Sequence, residues 1–543
     1  MSVKVSVIIG PPGTGKTSTI SRWCAQAAAK WGHDRVLVCS LTRAGAKQAA
    51  REIELPAQQI GTAHAFAHRA LGSPTMAESK VKEWNEAYPD MALSSHSATV
   101  DNAYDLHDDV TDADRAKLEV ARLRTFGLDP RLAVNAVTSG FHTKWEDWKK
   151  QCGFLDFVDL IERATFDVER APGDPAIIMN DEAQDTGMLE MQLLLKWAKH
   201  AEHFVVVGDS QQSIFSWRGS DPLLIQRLWQ EHDATREPLQ QSYRLSKAVY
   251  ATAYEWAGRF TQTMRVAFKP RESEGEVIHT SQTFEKVTAQ QVEQMVHAYD
   301  DGSETEYVPV MFLASCGYML DPIIKALREA GIAFFNPWRP NHGGWNPLPQ
   351  KRSKGFTVLD RVLAFLRPSV DVWGEYARFW TAQDVRAWAG GLPATDIFSR
   401  GGVQAIQALS DTAKDTEIAV AFCRWFLPEA REHMVPTPDV NWYLSQVKGS
   451  DRLRDFVNAV IVKQGAARLR DKPRVCVGTV HSLKGSEAMT IILAPDVSVQ
   501  SYDAARARED VAEELRRVFY VGLTRARERL VLCGPSRKWS VRW

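Results

Sequence analysis

The chain has 543 residues, more than a single hydrophobic core usually serves, so several domains are expected. Hydrophobic residues make up 44% and charged residues 24%, which excludes a mostly disordered or collagen-like chain. The 66 Lys plus Arg nearly cancel the 67 Asp plus Glu, which excludes a uniformly basic nucleic-acid coat but not a local basic groove.

In chain order, residues 5–9 form a short apolar run that ends at glycine, and an Ala-rich helix is expected over 18–30. A second apolar run covers 35–39, followed by a helical pattern over 44–52. Strand, loop, helix, strand in that order predicts a parallel α/β sheet. Between about 72 and 150 polar and charged residues dominate, with helical spacing over 113–123 and 144–150, and a helical insertion is expected there. Strand and helix alternate again at 176–179, 189–199 and 204–207. A further block closes with a strand over 308–313, a helix over 322–330 and a strand over 333–335. The Pro-, Gly- and Asn-rich stretch 336–349 marks a boundary. Residues 350–470 read as mostly helical, and a strand resumes at 474–477 with α/β alternation beyond it. Two α/β blocks, each interrupted by a helical block, are the expected organisation.

The seven cysteines (Cys24, Cys39, Cys152, Cys316, Cys423, Cys476, Cys533) show no C-x-x-C spacing, so zinc ribbons and redox motifs are not expected. Their scatter suits a reducing cytosol, with each a small core residue. The opening MSVKVSVIIGPPGTGKT does not read as a signal peptide, and no run reaches the roughly 18 apolar residues of a membrane span, so a cytoplasmic location is expected. The 18 tryptophans are expected mainly in cores and interfaces, with base stacking a minority role.

The sharpest local signal is GPPGTGKT at 10–17, which fits G-x-x-x-x-G-K-[ST] between a strand and a helix. Glycines let backbone N–H groups face phosphates, and the helix N-terminus adds partial positive charge. Gly10, Pro12, Gly13, Thr14, Gly15, Lys16, Thr17 and Ser18 are therefore the candidate nucleotide cradle. Lys16 would neutralise the β and γ phosphates and Thr17 would hold Mg²⁺. Such a loop needs an acidic partner, and the apolar run before Asp181 and Glu182 delivers one to the carboxyl edge of a sheet. Asp181 would bind the metal, and Glu182 would orient and deprotonate the attacking water.

Asp181-Glu182-Ala183-Gln184-Asp185, followed by GDSQQSIFSWRG at 208–219, resembles motifs II and III of superfamily 1 DNA helicases of the UvrD/Rep type. SLTRA at 40–44 and GTAHAF at 61–66 resemble motifs Ia and Ib, and DFVDL at 156–160 resembles the aspartate-rich segment before motif II. LQQSYR at 239–244, GTVHSLKGSE at 478–487 and ELRRVFYVGLTRA at 514–526 resemble motifs IV, V and VI. The strings span residues 10 to 526 in the family's order, and the likeness is to a short member, of a phage or plasmid kind.

The resemblance implies two RecA-like parallel-sheet P-loop domains, each interrupted by a mainly helical accessory insertion. It places the first RecA-like domain at 1–71 and 151–233 and its insertion at 72–150. The second falls at 234–338 and 471–543, with its insertion at 339–470. It implies an ATP- and Mg²⁺-dependent motor that moves on single-stranded DNA in the 3′-to-5′ direction and separates duplex at single-strand/duplex junctions. Work in replication or repair, possible partner proteins from those processes, and a monomer without membrane attachment in the nucleoid or a host cytoplasm go with it. Gln212 would sense the γ-phosphate, with Arg244 and Arg525 reaching it from the second domain. Tyr243 would stack on the adenine and Glu487 would contact the ribose. Thr42, Thr62, His64, Trp217, Arg218 and His481 would contact the strand. Nine residues precede Gly10, where relatives place a Gln that reads the adenine edge, so Tyr243 is expected to be the main base contact. A competing expectation is a nucleic-acid-stimulated ATPase that acts as a switch or loader and unwinds little. For Trp217, His64 and His481, ordinary packing is the competing role.

Overall fold

The computed structural model describes residues 3–40, 55–94, 111–133, 135–232, 234–261, 265–299, 307–337, 343–348, 355–411, 413, 415–449 and 451–543. The helix expected over 44–52, and Thr42 with it, lie outside the described residues. The chain forms two compact units. One contains Met1–Thr283, Leu313–Met319 and Thr479–Trp543, and the other contains Phe284–Phe312 and Leu320–Gly478. Its strands make two six-stranded parallel sheets, the architecture expected of two RecA-like domains.

The first sheet lies in the first unit. Its strands are β1 (Lys4–Ile9), β2 (Val36–Ser40), β3 (Ile60–Gly61), β4 (Ile177–Asp181), β5 (His203–Gly208) and β6 (Thr235–Pro238), in the order β3-β2-β4-β5-β1-β6. Side chains alternate across a strand, and both faces of this sheet are covered. Val5, Val7 and Ile9 of β1 pack with Phe66, Leu160 and Trp197, while Ile8 packs on the opposite face with Ile20, Cys24 and Ala27 of the helix Lys16–Trp31. That helix therefore lies on one face and holds the loop before it at the carboxyl end of β1. The edge strand β6 was not foreseen, because all four of its residues are exposed and only its backbone pairs with β1.

The insertion expected between 72 and 150 carries the helices Asp112–Thr125 and Ala136–Cys152. Trp84, Phe141, Trp145 and Trp148 form its core, with Trp84 5.0 Å from Trp145 and 5.5 Å from Trp148. Aromatic pairs of this kind add about 0.5–1.5 kcal/mol each beyond area burial. Arg124 and Lys149, from the two helices, bind Asp156 and Asp159, which cap the helix Phe157–Asp167. Glu146, Asp156 and Asp159 thus gather around cations of the chain itself.

In the first unit β7 (Glu276–Thr283) pairs in parallel with the last strand, Ala526–Gly534, which pairs with the strand Ala488–Leu493. The second unit carries β8 (Val308–Ala314, of which residues up to 312 fall here), β9 (Phe334–Phe335) and β10 (Val475–Thr479), which continues into the first unit at its last residue. The strands 488–493 and 526–534 are then β11 and β12. The helical residues of the second unit form a separate core around Phe365, Trp380, Trp388, Phe422 and Tyr443. Phe365 stacks on Tyr443 at 4.3 Å, and the Tyr443 hydroxyl donates to Trp388 O at 2.8 Å.

The expectation that every cysteine is a core residue needs correction. Cys24, Cys39, Cys476 and Cys533 are buried, but Cys152 and Cys423 are exposed. Cys152 sits at the polar C-terminal end of its helix, next to Gly153 in the left-handed region. No helix among the described residues is long and apolar enough to cross a membrane.

Candidate active site

The site is built within the first unit, at the carboxyl ends of β1, β4 and β5. Gly10 leaves β1 with its N–H bonded to Gly208 O at 3.0 Å, which ties the loop to the end of β5. Gly13 and Gly15 adopt φ of +71° and +79°, a region that side chains with a Cβ rarely enter. At Gly13 there is also no room: a Cβ would lie 2.3 Å from Arg244 Cβ and 2.9 Å from Ser242 Oγ. The LQQSYR segment that follows β6 therefore presses against the loop. Ser242 Oγ donates to Pro12 O at 2.8 Å and Tyr243 N donates to Gly13 O at 2.8 Å. The Tyr243 ring is 66% exposed and lies beside Gly15, so an apolar platform stands next to the cradle.

Lys16 opens its helix and folds back, donating from Nζ to Gly10 O at 3.0 Å, with Glu182 Oε1 4.0 Å away. Thr17 and Ser18 follow in the same first turn, Thr17 partly buried and Ser18 exposed. Asp181 ends β4 and is buried, and its Oδ1 accepts from Glu182 N at 2.9 Å. Glu182 itself sits at φ +51°. A non-glycine residue there costs of order 1–3 kcal/mol and is held only by its surroundings. One holder is Gln184, whose Nε2 donates to Glu182 Oε2 at 2.5 Å while its Oε1 accepts from Asp209 N at 2.9 Å. Burial would raise the Glu182 carboxyl, but Lys16 and Lys484, helped by the Gln184 bond, hold it down to about 2. Glu182 is thus a charged acceptor at neutral pH.

Gln212 is 3% exposed, and its Nε2 donates to Asp209 Oδ2 at 2.7 Å. Its Oε1 accepts from Arg525 Nη2 at 2.8 Å. Arg525 follows the helix Glu509–Leu523 and is 3% exposed, with Nε bonded to Val521 O at 3.0 Å. Burial and the like charge of Arg244 pull Arg525 down to about 9, and it still carries its proton at neutral pH. Arg244 Nε and Arg527 Nη1 both bond Glu487, and Arg527 Nη2 also reaches Tyr243 O at 3.2 Å. Burial opposes ionisation of Glu487, but the two guanidinium groups keep its carboxyl below the usual range. Arg244, Glu487 and Arg525 thus converge beside the P-loop, with Glu487 held as an anion between two arginines.

Several members of this site carried no role in the sequence reading. Lys484 Nζ bonds the buried Asp185 carboxylate and donates to Gln212 O at 2.5 Å. Burial pushes Asp185 up to about 6, against the pull of Lys484 and with the Glu182 charge adding to the rise. Glu514 accepts from Ser216 Oγ and Ser216 N, and Tyr520 Oη donates to Gln211 at 3.2 Å. Gln184, Lys484, Ser242, Glu514 and Tyr520 all lie inside the quoted motif strings, which was the available signal. Which atom each one touches depends on how the sheets meet, and spacing does not encode that.

Among the residues expected at the strand, Trp217 and Arg218 form a short turn that ends at Gly219, both partly buried, with Arg218 Cζ 5.9 Å from the Trp217 ring. Phe215 lies between them and the motif V side, 6.1 Å from Trp217 and 5.9 Å from His481. Burial and Lys484 push the His481 imidazole down to about 3, so it is neutral at neutral pH. His64 Nδ1 lies 3.1 Å from Glu190 Oε1, and Thr62 caps its helix by accepting from Ala65 N at 3.1 Å. The turn at Gly219 is closed by the end of the helix Asp112–Thr125: a Cβ there would meet Thr125 Cγ2 at 2.1 Å.

A P-loop after β1, a strained acidic residue at the end of β4, and Arg244 and Arg525 from the segments after β6 and before β12 together define a P-loop protein of two RecA-like sheets. Residues 2–233 match the model of the UvrD/REP helicase N-terminal domain, and residues 429–535 match that of the UvrD-like helicase C-terminal domain. The chain belongs to the UvrD/Rep helicase family. It is 35% identical over 112 residues to the ATP-dependent DNA helicase Rep of Salmonella typhimurium, covering 19% of this chain and 17% of that protein. It is 32% identical over 133 residues to the ATP-dependent DNA helicase PcrA of Staphylococcus aureus, 23% of this chain and 18% of that protein. The putative ATP-dependent DNA helicase YjcD of Bacillus subtilis aligns over 461 residues at 22% identity, 73% of this chain and 57% of that protein. The matched region is thus less than two thirds of the length of each of these relatives.

Proposed function

We propose that the chain is an ATP-dependent DNA helicase that translocates 3′-to-5′ on single-stranded DNA and separates duplex. The observation that carries this reading is the 2.8 Å bond from Arg525 to Gln212. A guanidinium just beyond the helix Glu509–Leu523 reaches the segment that also bears Trp217. Phosphate chemistry and strand contact then share one short piece of chain, which is what a motor needs to couple them.

In this reading Gly10, Pro12, Gly13, Thr14, Gly15 and Ser18 shape the phosphate cradle and Lys16 neutralises the β and γ phosphates. Glu182, ionised and held by Gln184, accepts the proton of the attacking water. Gln212 senses the γ-phosphate, and Arg244 and Arg525 stabilise charge as it develops there. Tyr243 offers its exposed ring to the base, and Glu487 offers a fixed carboxylate oxygen to the ribose. Thr17 and Asp181 bring hydroxyl and carboxylate oxygens, the donor chemistry of a hard divalent cation, which supports Mg²⁺ as the metal. Bound there, the cation neutralises phosphate charge. Thr62, His64, Trp217, Arg218 and His481 are assigned to contact with the strand, and so is Thr42 by its place in the sequence alone. We assign residues 1–71 and 151–233, and 234–338 and 471–543, to the two RecA-like domains, with insertions at 72–150 and 339–470. A monomer acting in the cytoplasm, at junctions made in replication or repair, fits this assignment.

Strand displacement tests the reading. A labelled oligonucleotide annealed beside a 3′ single-stranded tail should be released in an ATP-dependent manner, and one beside a 5′ tail should not. DNA-stimulated hydrolysis with no release from either substrate would replace the motor by a switch or loader.

A further inference from the structure

The second unit carries a cationic cluster that the nucleotide site does not use. Helix Val358–Phe365 ends just before Arg367, a short helix Val370–Trp373 follows, and a 3₁₀ turn covers Ala466–Arg470. These three pieces bring two guanidinium groups onto one indole. Arg367 Cζ lies 3.8 Å and Arg470 Cζ 4.4 Å from the Trp373 ring centroid. Both distances are well inside the roughly 6 Å reach of a cation–π contact. Trp373 rests against the helical core, so the stack is anchored from beneath.

Among the described residues, no carboxylate forms an ion pair with Arg367 or Arg470. Arg378, whose N–H donates to Arg367 O at 3.2 Å, is engaged by Asp384 at 2.5 Å. Arg470 spends one donor on Val372 O at 2.9 Å, and its side chain is otherwise exposed. Arg367 Nε and Trp373 Nε1 are buried donors with no acceptor among the described residues. Asp371 and Glu375 are exposed on the same segment, yet neither forms an ion pair with Arg367 or Arg470. Burial and the like charges of Arg378 and Arg470 depress the Arg367 guanidinium, with Asp384 only partly opposing them. Two guanidinium groups held over one rigid ring lose less entropy when they bind, and the edges of such forks match the oxygens of a phosphodiester.

We propose that Arg367, Trp373 and Arg470 form a phosphate-binding site for a nucleic-acid backbone. The choice of nucleic acid over other polyanions rests on the reading of this chain as a DNA-acting enzyme. Tyr376, 63% exposed three residues beyond Trp373, adds an aromatic surface of the kind that tolerates any base.

The test compares the full-length protein with the pair Arg367→Gln/Arg470→Gln and the pair Arg367→Lys/Arg470→Lys. Binding of a labelled single strand and of a labelled blunt duplex is measured by anisotropy across a salt series. Near-ultraviolet circular dichroism and thermal melting follow the fold. Loss of two phosphate contacts should flatten the slope of log affinity against log salt by about 1.8 on duplex or about 1.4 on single strand, and weaken binding roughly tenfold near about 200 mM salt. The probe that shows the change identifies which form of the backbone occupies the site. The Lys pair should keep most of the slope and lose part of the affinity, because it keeps charge but not the planar forks. Unchanged affinity and slope in the Gln pair on both probes would overturn the proposal. So would equal losses in the Gln and Lys pairs with an unchanged slope, which marks packing. Failure of the wild-type protein to bind either probe would instead refute the DNA-acting reading itself.

Discussion

Replacing Arg525 by Met separates catalysis from stability. The side chain is 3% exposed and holds its charge at a cost: burial and Arg244 bring its pKa from 12.5 down to about 9. Because the folded pKa is depressed, the cost is fully present at neutral pH, where both folded and unfolded forms are protonated. It is relieved only as pH rises through about 9. At about 1.4 kcal/mol per pH unit, removing the charge returns up to about 5 kcal/mol. Against this, Met forfeits the bonds to Gln212 Oε1 at 2.8 Å and Val521 O at 3.0 Å. Hydrogen bonds from a charged group contribute about 1.5–3 kcal/mol each. The two sums nearly cancel, and Met fills most of the vacated volume. The thermal midpoint of the nucleotide-free protein should therefore shift by only a few degrees. Hydrolysis should fall about 10³–10⁵-fold at every DNA concentration, the scale of a transition-state arginine. Steady-state ATPase assays beside a melting curve decide it. A large drop in the midpoint with near-normal hydrolysis would show that Arg525 is a strut, and the coupling argument would fail.

Lys16→Ala should abolish hydrolysis while single-strand binding persists, as read by ATPase and anisotropy; normal turnover would remove Lys16 from the phosphate site. Glu182→Gln should retain nucleotide binding and turn over very slowly, since the amide keeps shape but loses basicity. Near-wild-type turnover in that variant would move the base elsewhere, with Asp185 next to test. Asp185 also makes a pH prediction. Its folded pKa is raised, so its contribution to stability falls as pH rises from about 4 to about 6. Melting curves of Asp185→Asn should lack that decline; a decline of wild-type size would assign it to another group. Trp217→Ala should lose about 1–3 kcal/mol of strand binding and blunt DNA stimulation of hydrolysis. Unchanged stimulation would make Trp217 a packing residue.

Glycine loops and apolar runs were legible because their chemistry is local. The run over 5–9 became β1, and GPPGTGKT sits between it and the helix Lys16–Trp31. The alternation of Val5, Val7 and Ile9 with Ile8 across two cores follows from the same few residues. The polar edge strand Thr235–Pro238 was not legible, because it buries nothing and is specified by backbone pairing. β7 pairs with β12 from a sequence whose residues are exposed or only partly buried. Motif residues could be located, but their partners could not. Lys484 meets Asp185 across 299 positions, and Arg244 meets Glu487 across 243. Only the meeting of the strands supplies such pairs, and the exposure of Cys152 and Cys423 likewise depends on which face of a helix is covered.

The central claim is that hydrolysis at this site drives movement along a strand. Release of streptavidin from a biotin placed at one end of a single-stranded oligonucleotide measures that movement without requiring any duplex. The account predicts that ATP accelerates release from a 5′ biotin and not from a 3′ biotin, and that Lys16→Ala abolishes the acceleration. Hydrolysis stimulated by the same oligonucleotide, with no acceleration at either end, would contradict it.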